Sequence, residues 1–165
     1  MSAEQLHSGD MARVAELIRE IRVALLTTVD REGRFHTRPV QTMQVEPGQA
    51  IWFFTGWSSP KVDELLHDQR VSLGYADPSK HAYLAVTGVA TLTRDPGKAR
   101  ELWTAEQRAF YPDGPDDQRL ALLCVRIERA EYWVAPDRVS YLVAAARATV
   151  TGKPAEVIGE NRKVP

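Results

Sequence analysis

Apolar residues at Met11, Val14, Leu17, Ile18 and Ile21 recur with helical spacing, and Arg13, Glu16, Arg19 and Glu20 occupy the intervening positions. A helix capped by Asp10, with one face on a core, is predicted over this segment. The pattern then changes. Val23-Ala24-Leu25-Leu26-Thr27-Thr28-Val29 reads as a buried strand, Asp30-Arg31-Glu32-Gly33 as a turn, and 34–45 as the second arm of a hairpin. Pro39 has no N–H to donate, so an edge or a bulge is expected at its position. After the turn Glu46-Pro47-Gly48-Gln49, residues 50–55 (Ala-Ile-Trp-Phe-Phe-Thr) suit a pleated, half-buried surface.

Ser59 can cap a second helix that Pro60 opens, with Val62, Leu65 and Leu66 as its buried stripe. Strands over 71–76 and 83–93 follow, divided by Asp77-Pro78-Ser79-Lys80. Asp95 and Pro96 start a third helix, with Ala99, Leu102, Trp103 and Phe110 facing inwards, and a loop covers 111–117. Two late strands, 120–127 and 131–134, are predicted with Glu128-Arg129-Ala130 between them. Val139, Leu142, Val143, Ala146 and Val150 then define one face of a last helix, and 152–165 reads as an extended tail. Short antiparallel strands with helices inserted among them predict an α+β domain built on a barrel or a strongly curved sheet. No Gly-x-Gly-x-x-Gly run is present, which removes the usual argument for a doubly wound dinucleotide fold.

The 165 residues fit one domain, 1–165, with an N-terminal helix in 1–22 and no second unit. Lys+Arg 21 against Asp+Glu 22 leave a net charge of -1, which argues against nucleic acid as a main partner. No stretch approaches the ~20 apolar residues of a membrane span, and the first ten residues lack the order of a signal peptide. Together with the single Cys124, which sits in an apolar run and reads as an inert thiol, this predicts a cytoplasmic protein with no membrane contact. His7, His36, His67 and His81 lack metal-ligand spacing, and the acidic residues of 113–117 are explained by turn formation, so no metal is expected.

The candidate chemistry lies where the third strand meets the second helix. A helix start offers unpaired N–H groups and about half a positive charge to an anion. Gly56 permits close backbone approach, Thr55, Ser58 and Ser59 add hydroxyl donors, and Lys61 adds a point charge suited to a phosphomonoester. Taken alone the segment supports equally a capped helix with a solvated lysine. A second cation alters the balance: if the strand holding Arg38 runs beside residues 50–55, its guanidinium and Lys61 converge on one ligand.

At this point the chain resembles the pyridoxamine-phosphate-oxidase-like flavin-binding split barrels, in their general stress protein 26 branch. The matching stretches are Ala24-Leu25-Leu26-Thr27-Thr28-Val29 before an Asp-x-x-Gly turn, His36-x-Arg38-Pro39, Trp52-Phe53-Phe54-Thr55 before Ser59-Pro60-Lys61, Glu101-Leu102-Trp103, Glu131-Tyr132-Trp133 and Thr151-Gly152-Lys153-Pro154. The resemblance implies a six-stranded antiparallel split β-barrel with flanking helices, forming a homodimer with FMN in a groove between protomers. Carried over, Arg38 and Lys61 match the flavin-phosphate ligands, Ser59 and Thr55 lie beside the phosphate, and the backbone of Pro39 and Val40 runs beside the ring system. Trp103 and Trp133 are candidates for packing on the flavin from the partner, with interface or core packing as the plainer role, and Trp57 is a candidate shield. Where relatives have a further polar residue before the lysine, this chain has Pro60.

The vitamin B6 oxidases of the wider family also bind their substrate's phosphate, with a lysine where Met43 stands here and an Arg-x-His-Asp-Arg signature that is missing after Trp133. Little oxidation of pyridoxamine phosphate is therefore expected. The resemblance implies a stress-related, flavin-dependent oxidoreductase served by a nicotinamide or quinone-type electron partner. Its alternatives are a non-enzymatic flavin carrier or sensor, and a split-barrel reductase that uses FAD or the deazaflavin F420.

Overall fold

The computed structural model describes residues 3–47, 49–135, 138–152 and 160–164. Helix α1 (Ala3–Ile21) leads into β1 (Val23–Val29), β2 (Phe35–Glu46) and β3 (Ala50–Gly56), followed by α2 (Pro60–His67), β4 (Arg70–Asp77) and β5 (Ala82–Thr93). Helix α3 (Pro96–Leu102), short 3-10 turns at Ala105–Ala109 and Gly114–Asp116, β6 (Leu120–Val134), α4 (Arg138–Thr151) and β7 (Glu160–Val164) complete the order.

Every strand pairing is antiparallel, in the order β3-β2-β1-β4-β5-β6-β7, and β3 also pairs with β6. That last pairing closes six strands into a barrel and leaves β7 added to the outer part of β6. Closure satisfies the backbone donors that an open edge would leave unpaired. Ala24, Leu26, Ile51, Phe53, Leu73, Leu84, Val86, Leu123, Val125 and Tyr132 fill the interior. A satellite cluster outside the barrel packs Ala99 and Leu102 of α3 on Leu120 and Leu122, with Phe54, Trp52, Met43 and Trp103 against it.

The barrel agrees with the expected fold class, and several local expectations change. Asp10 does not cap α1, because the helix begins at Ala3 and passes through it. The two late strands are one strand: Thr87 pairs with Arg129 and Gly88 with Ile127, so Glu128 is an extra residue in a bulge rather than a break. A Cβ at Gly88 would lie 2.1 Å from the Arg126 carbonyl oxygen, which explains glycine at this close approach. Phe110 points outward at 72% exposure, because a 3-10 turn follows α3 and ends its helical periodicity. Within the tail, Glu160–Val164 forms β7, an extended segment that pairs with β6.

Pro39 sits opposite Leu25, in a part of β2 that pairs with β1, while the β3 ladder starts only at Thr42. Its missing donor therefore falls where one side of the strand has no described partner, and a bulge lies just beyond, between Thr42 and Gln44. Gly48, the side chains of Val139 and Leu142, and the tail residues 153–159 lie outside the described residues.

The helices close the barrel. α1 lies against β2, β4, β5 and β7, burying Met11, Val14, Ala15, Leu17 and Ile18. It stops at Arg22, whose φ of 65° gives a left-handed turn closed by its N–H on Ile18 O at 2.9 Å. α2 lies against β1 and β5 at the opposite end, with Val62 and Leu65 inward. Leu66 was expected in that buried stripe, yet it is 69% exposed and Glu64 is buried instead.

Candidate functional site

Thr55 ends the inward-facing series Ile51, Phe53, Thr55 of β3, so its hydroxyl lies at the barrel mouth with the residue 3% exposed. The chain turns at Gly56, where Ser59 N–H donates to Gly56 O at 3.0 Å, and Pro60 starts α2. Ser59 occupies the N-cap position with an extended backbone, but its hydroxyl makes no capping bond. Lys61 Nζ instead donates to Thr55 Oγ1 at 3.0 Å and to Ser59 Oγ at 3.3 Å, and the two hydroxyls are 3.3 Å apart. This is not a solvated lysine. Burial lowers its pKa, the nearby charge of Arg38 lowers it further, and Glu64 opposes the shift.

Arg38 faces the same mouth from β2, but by a route other than the one expected. It pairs across to Leu26 of β1, not to β3, whose ladder with β2 begins four residues later. The link to Lys61 runs through α2: Arg38 Nη2 lies 2.6 Å from Glu64 Oε2, and Arg38 Nη1 donates to Thr28 Oγ1. Thr28 in turn donates to Glu64. Arg38 and Glu64 are only 22% and 10% exposed in their side chains, so this is a largely desolvated ion pair with its hydrogen bonds made.

The mouth therefore brings together Arg38, Thr55, Ser59 and Lys61 from the expected set. Pro39 alternates outward and is exposed, whereas Val40 is partly buried against the core. Trp103 packs on Phe54 with centroids 6.0 Å apart, within the satellite cluster. Trp133 is 38% exposed on β6, between Tyr83 and Asn161 of the neighbouring strands. The Trp57 ring is covered by the Arg94 guanidinium at 4.4 Å, and the Trp57 backbone N–H donates to Arg119 O at 2.7 Å.

Sequence reasoning missed Glu64 and Thr28. Glu64 was legible as the residue three beyond Lys61, which places both on one side of α2. It also missed that Asp30 accepts from His36 at 2.8 Å and from Arg34, which hold its carboxyl well below the usual range. A separate groove of about 200 Å³, bordered by Arg94, Asp95, Asp116 and Leu122, contains none of the expected site residues. Among the described residues no three metal-ligating side chains come together, and no helix is long and apolar enough to cross a membrane.

Comparison with known proteins agrees with this architecture. The family model described as pyridoxamine 5'-phosphate oxidase like matches residues 9–156. The chain belongs to this pyridoxamine 5'-phosphate oxidase like family. A curated relative, protein bli-3 of Neurospora crassa, is 25% identical over 147 residues, covering 82% of this chain and 70% of that protein. The solved general stress protein 26 of Jannaschia sp. CCS1 has a TM-score of 0.77 at 19% identity, covering 94% and 98% of the two chains. The general stress FMN/FAD binding protein of Xanthomonas citri is 26% identical with a TM-score of 0.65, covering 75% and 87%. The residues matched by the pyridoxamine 5'-phosphate oxidase like family, 9–156, include the six barrel strands and α2.

Proposed function

We propose that the α2 mouth holds the phosphate of a flavin, FMN in the first instance, and that the protein serves as a flavin-dependent oxidoreductase of the general stress type. The observation that carries this reading is the cluster at the start of α2. There a half-buried Lys61 is fixed by two hydroxyls, and Arg38 arrives from a different strand to share the same field. Two cations with hydroxyl donors at a helix start match the needs of a phosphomonoester. The Xanthomonas citri relative is itself described as binding FMN or FAD.

In this reading Lys61 and Arg38 bind the phosphate, Thr55 and Ser59 orient Lys61 and donate, and the backbone of Pro39 and Val40 runs beside the ring system. A bound flavin supplies the hydride and electron chemistry. The partner for that chemistry is proposed to be a nicotinamide or quinone-type compound. Pyridoxamine phosphate is not the proposed substrate: Met43, where the B6 oxidases carry a lysine, packs in the satellite cluster and accepts from Gln107 at 3.6 Å.

A homodimer is part of the proposal. Val23 and Leu25 of β1, Tyr83 of β5 and Trp133 of β6 are 51%, 54%, 41% and 38% exposed, on outward positions of the barrel wall. In one register row the small Gly74 and Ala85 separate Leu25 from Glu131, and in the next Ala76 pairs with Tyr83 and Tyr83 with Trp133, so small and aromatic residues together leave a surface that a second copy can cover. In that assembly Trp103 and Trp133 are the proposed partner aromatics near the flavin.

Purified protein should carry, or take up, a yellow chromophore whose released mass identifies FMN, FAD or F420. Colourless protein that takes up none of them contradicts the flavin reading. Anaerobic bleaching by a nicotinamide donor marks an enzyme, and bleaching by artificial reductants alone marks a carrier or sensor. Light scattering should give twice the chain mass.

A further inference from the structure

Glu64 carries the wrong charge for an anion site, yet it is among the most enclosed side chains at the mouth. Its carboxylate sits 2.6 Å from Arg38 Nη2, and the Thr28 hydroxyl bridges the same two residues. Thr28 is fully buried, so the bridge is anchored in the barrel wall. These contacts occupy two of the five N–H donors of Arg38 and leave its side chain 22% exposed. The guanidinium is held on one side and has donors to spare on the other.

We propose that Glu64 is a positioning residue of this site, which holds Arg38 through the ion pair and the Thr28 bridge so that the remaining donors of Arg38 meet the ligand's phosphate. The proposal rests on the phosphate reading above. Its physical basis is preorganisation: a long, rotamer-rich arginine that is already fixed loses less freedom when the ligand arrives. Coulomb repulsion alone argues for the opposite effect. A carboxylate beside a phosphate repels it, so removing that carboxylate without any positioning role would tighten binding. Glu64→Ala therefore separates the two effects by sign.

The test compares FMN with riboflavin, which has the same ring system and no phosphate, in fluorescence titrations of the wild type, Glu64→Ala and Glu64→Gln. Glu64→Ala is expected to weaken FMN about tenfold and to leave riboflavin unchanged. Glu64→Gln keeps an acceptor for Arg38 and is expected to hold FMN within about threefold of the wild type. FMN binding that is unchanged or tighter in Glu64→Ala overturns the proposal, as does a parallel loss of both ligands, which marks a merely structural residue. A Glu64→Gln protein as weak as Glu64→Ala overturns it too.

Should Glu64→Ala fail to fold, Thr28→Val removes the bridging hydroxyl at similar shape. FMN should then weaken selectively, and unchanged FMN affinity counts against the clamp. A wild type that binds neither ligand, or both equally, defeats the phosphate reading itself. A wild-type preference for FMN that is undiminished in Glu64→Ala defeats only the role of Glu64.

Discussion

At the end of the barrel where β1 begins, α1 inserts Val14, Ala15, Leu17 and Ile18, each at or below 1% exposure, whereas at the opposite end α2 inserts Val62 and Leu65 beside Lys61 and Glu64. Both helices do the same mechanical task of closing a mouth. One does it with apolar side chains alone. The other sets an ion pair, a lysine with a lowered pKa and two buried threonines next to the apolar contacts. A well-packed apolar replacement for a buried ion pair is often neutral or stabilising, so packing gives no reason for the charges at α2. The reason proposed for them is a ligand, and on that proposal the contrast between the mouths separates residues that hold the fold from residues that would hold an anion.

Variants at the two mouths should fail in different ways. The largest expected effect is at α1. Leu17→Ala should cost about 2–5 kcal/mol of unfolding free energy, read from chemical denaturation, with the ratio of FMN to riboflavin affinity unchanged. A change in that ratio would erase the distinction between the mouths. Next, Lys61→Met should weaken FMN by at least about tenfold, while the apoprotein melts at the same temperature or higher, because a desolvated charge has been removed. A large loss of apoprotein stability there would mark Lys61 as a structural residue.

The pH dependence sharpens the same point. Lys61 has a folded pKa below 10.5, so the folded chain binds fewer protons than the unfolded chain between that lowered value and 10.5. The contribution of Lys61 to apoprotein stability therefore rises with pH across that window. FMN affinity should fall across it, since the cation is lost, and Lys61→Met should flatten that limb of the binding curve. Stability and affinity that fall together would contradict the assignment.

The smallest effect is at the α1 terminus. Arg22 takes a left-handed φ of 65°, which costs a non-glycine residue about 1–2 kcal/mol. Arg22→Gly should relieve part of it and raise the melting temperature slightly, offset by the greater freedom of glycine when unfolded. It should not touch FMN affinity.

Much of the fold was legible because the residues at issue obey local rules. The period-two runs mark β1 to β5 within a residue or two, and Pro60 and Pro96 mark the starts of α2 and α3. The bulge at Glu128 was hidden, because the signal for a break and for an extra residue is the same polar interruption. Closure of β3 on β6 depends on pairing across some seventy residues, which no local pattern encodes.

The site divides in the same way. Lys61, Ser59 and Thr55 are neighbours in sequence, and their grouping followed from the strand-turn-helix pattern. Arg38 was identified as a cation, but its route to Lys61 was not, because it passes through Glu64, one helix turn beyond Lys61 on the same face of α2. Leu66 shows why: an apolar residue in the right period was expected inward, and the carboxylate took its place because Arg38 and Thr28 satisfy it there.

The account stands most directly on one titration of the wild-type protein, stripped of any bound ligand, with FMN and with riboflavin at fixed pH and salt. If Arg38 and Lys61 meet a phosphate, FMN should bind at least about a hundredfold more tightly than riboflavin. Equal affinities would place the phosphate away from the α2 mouth and contradict the account.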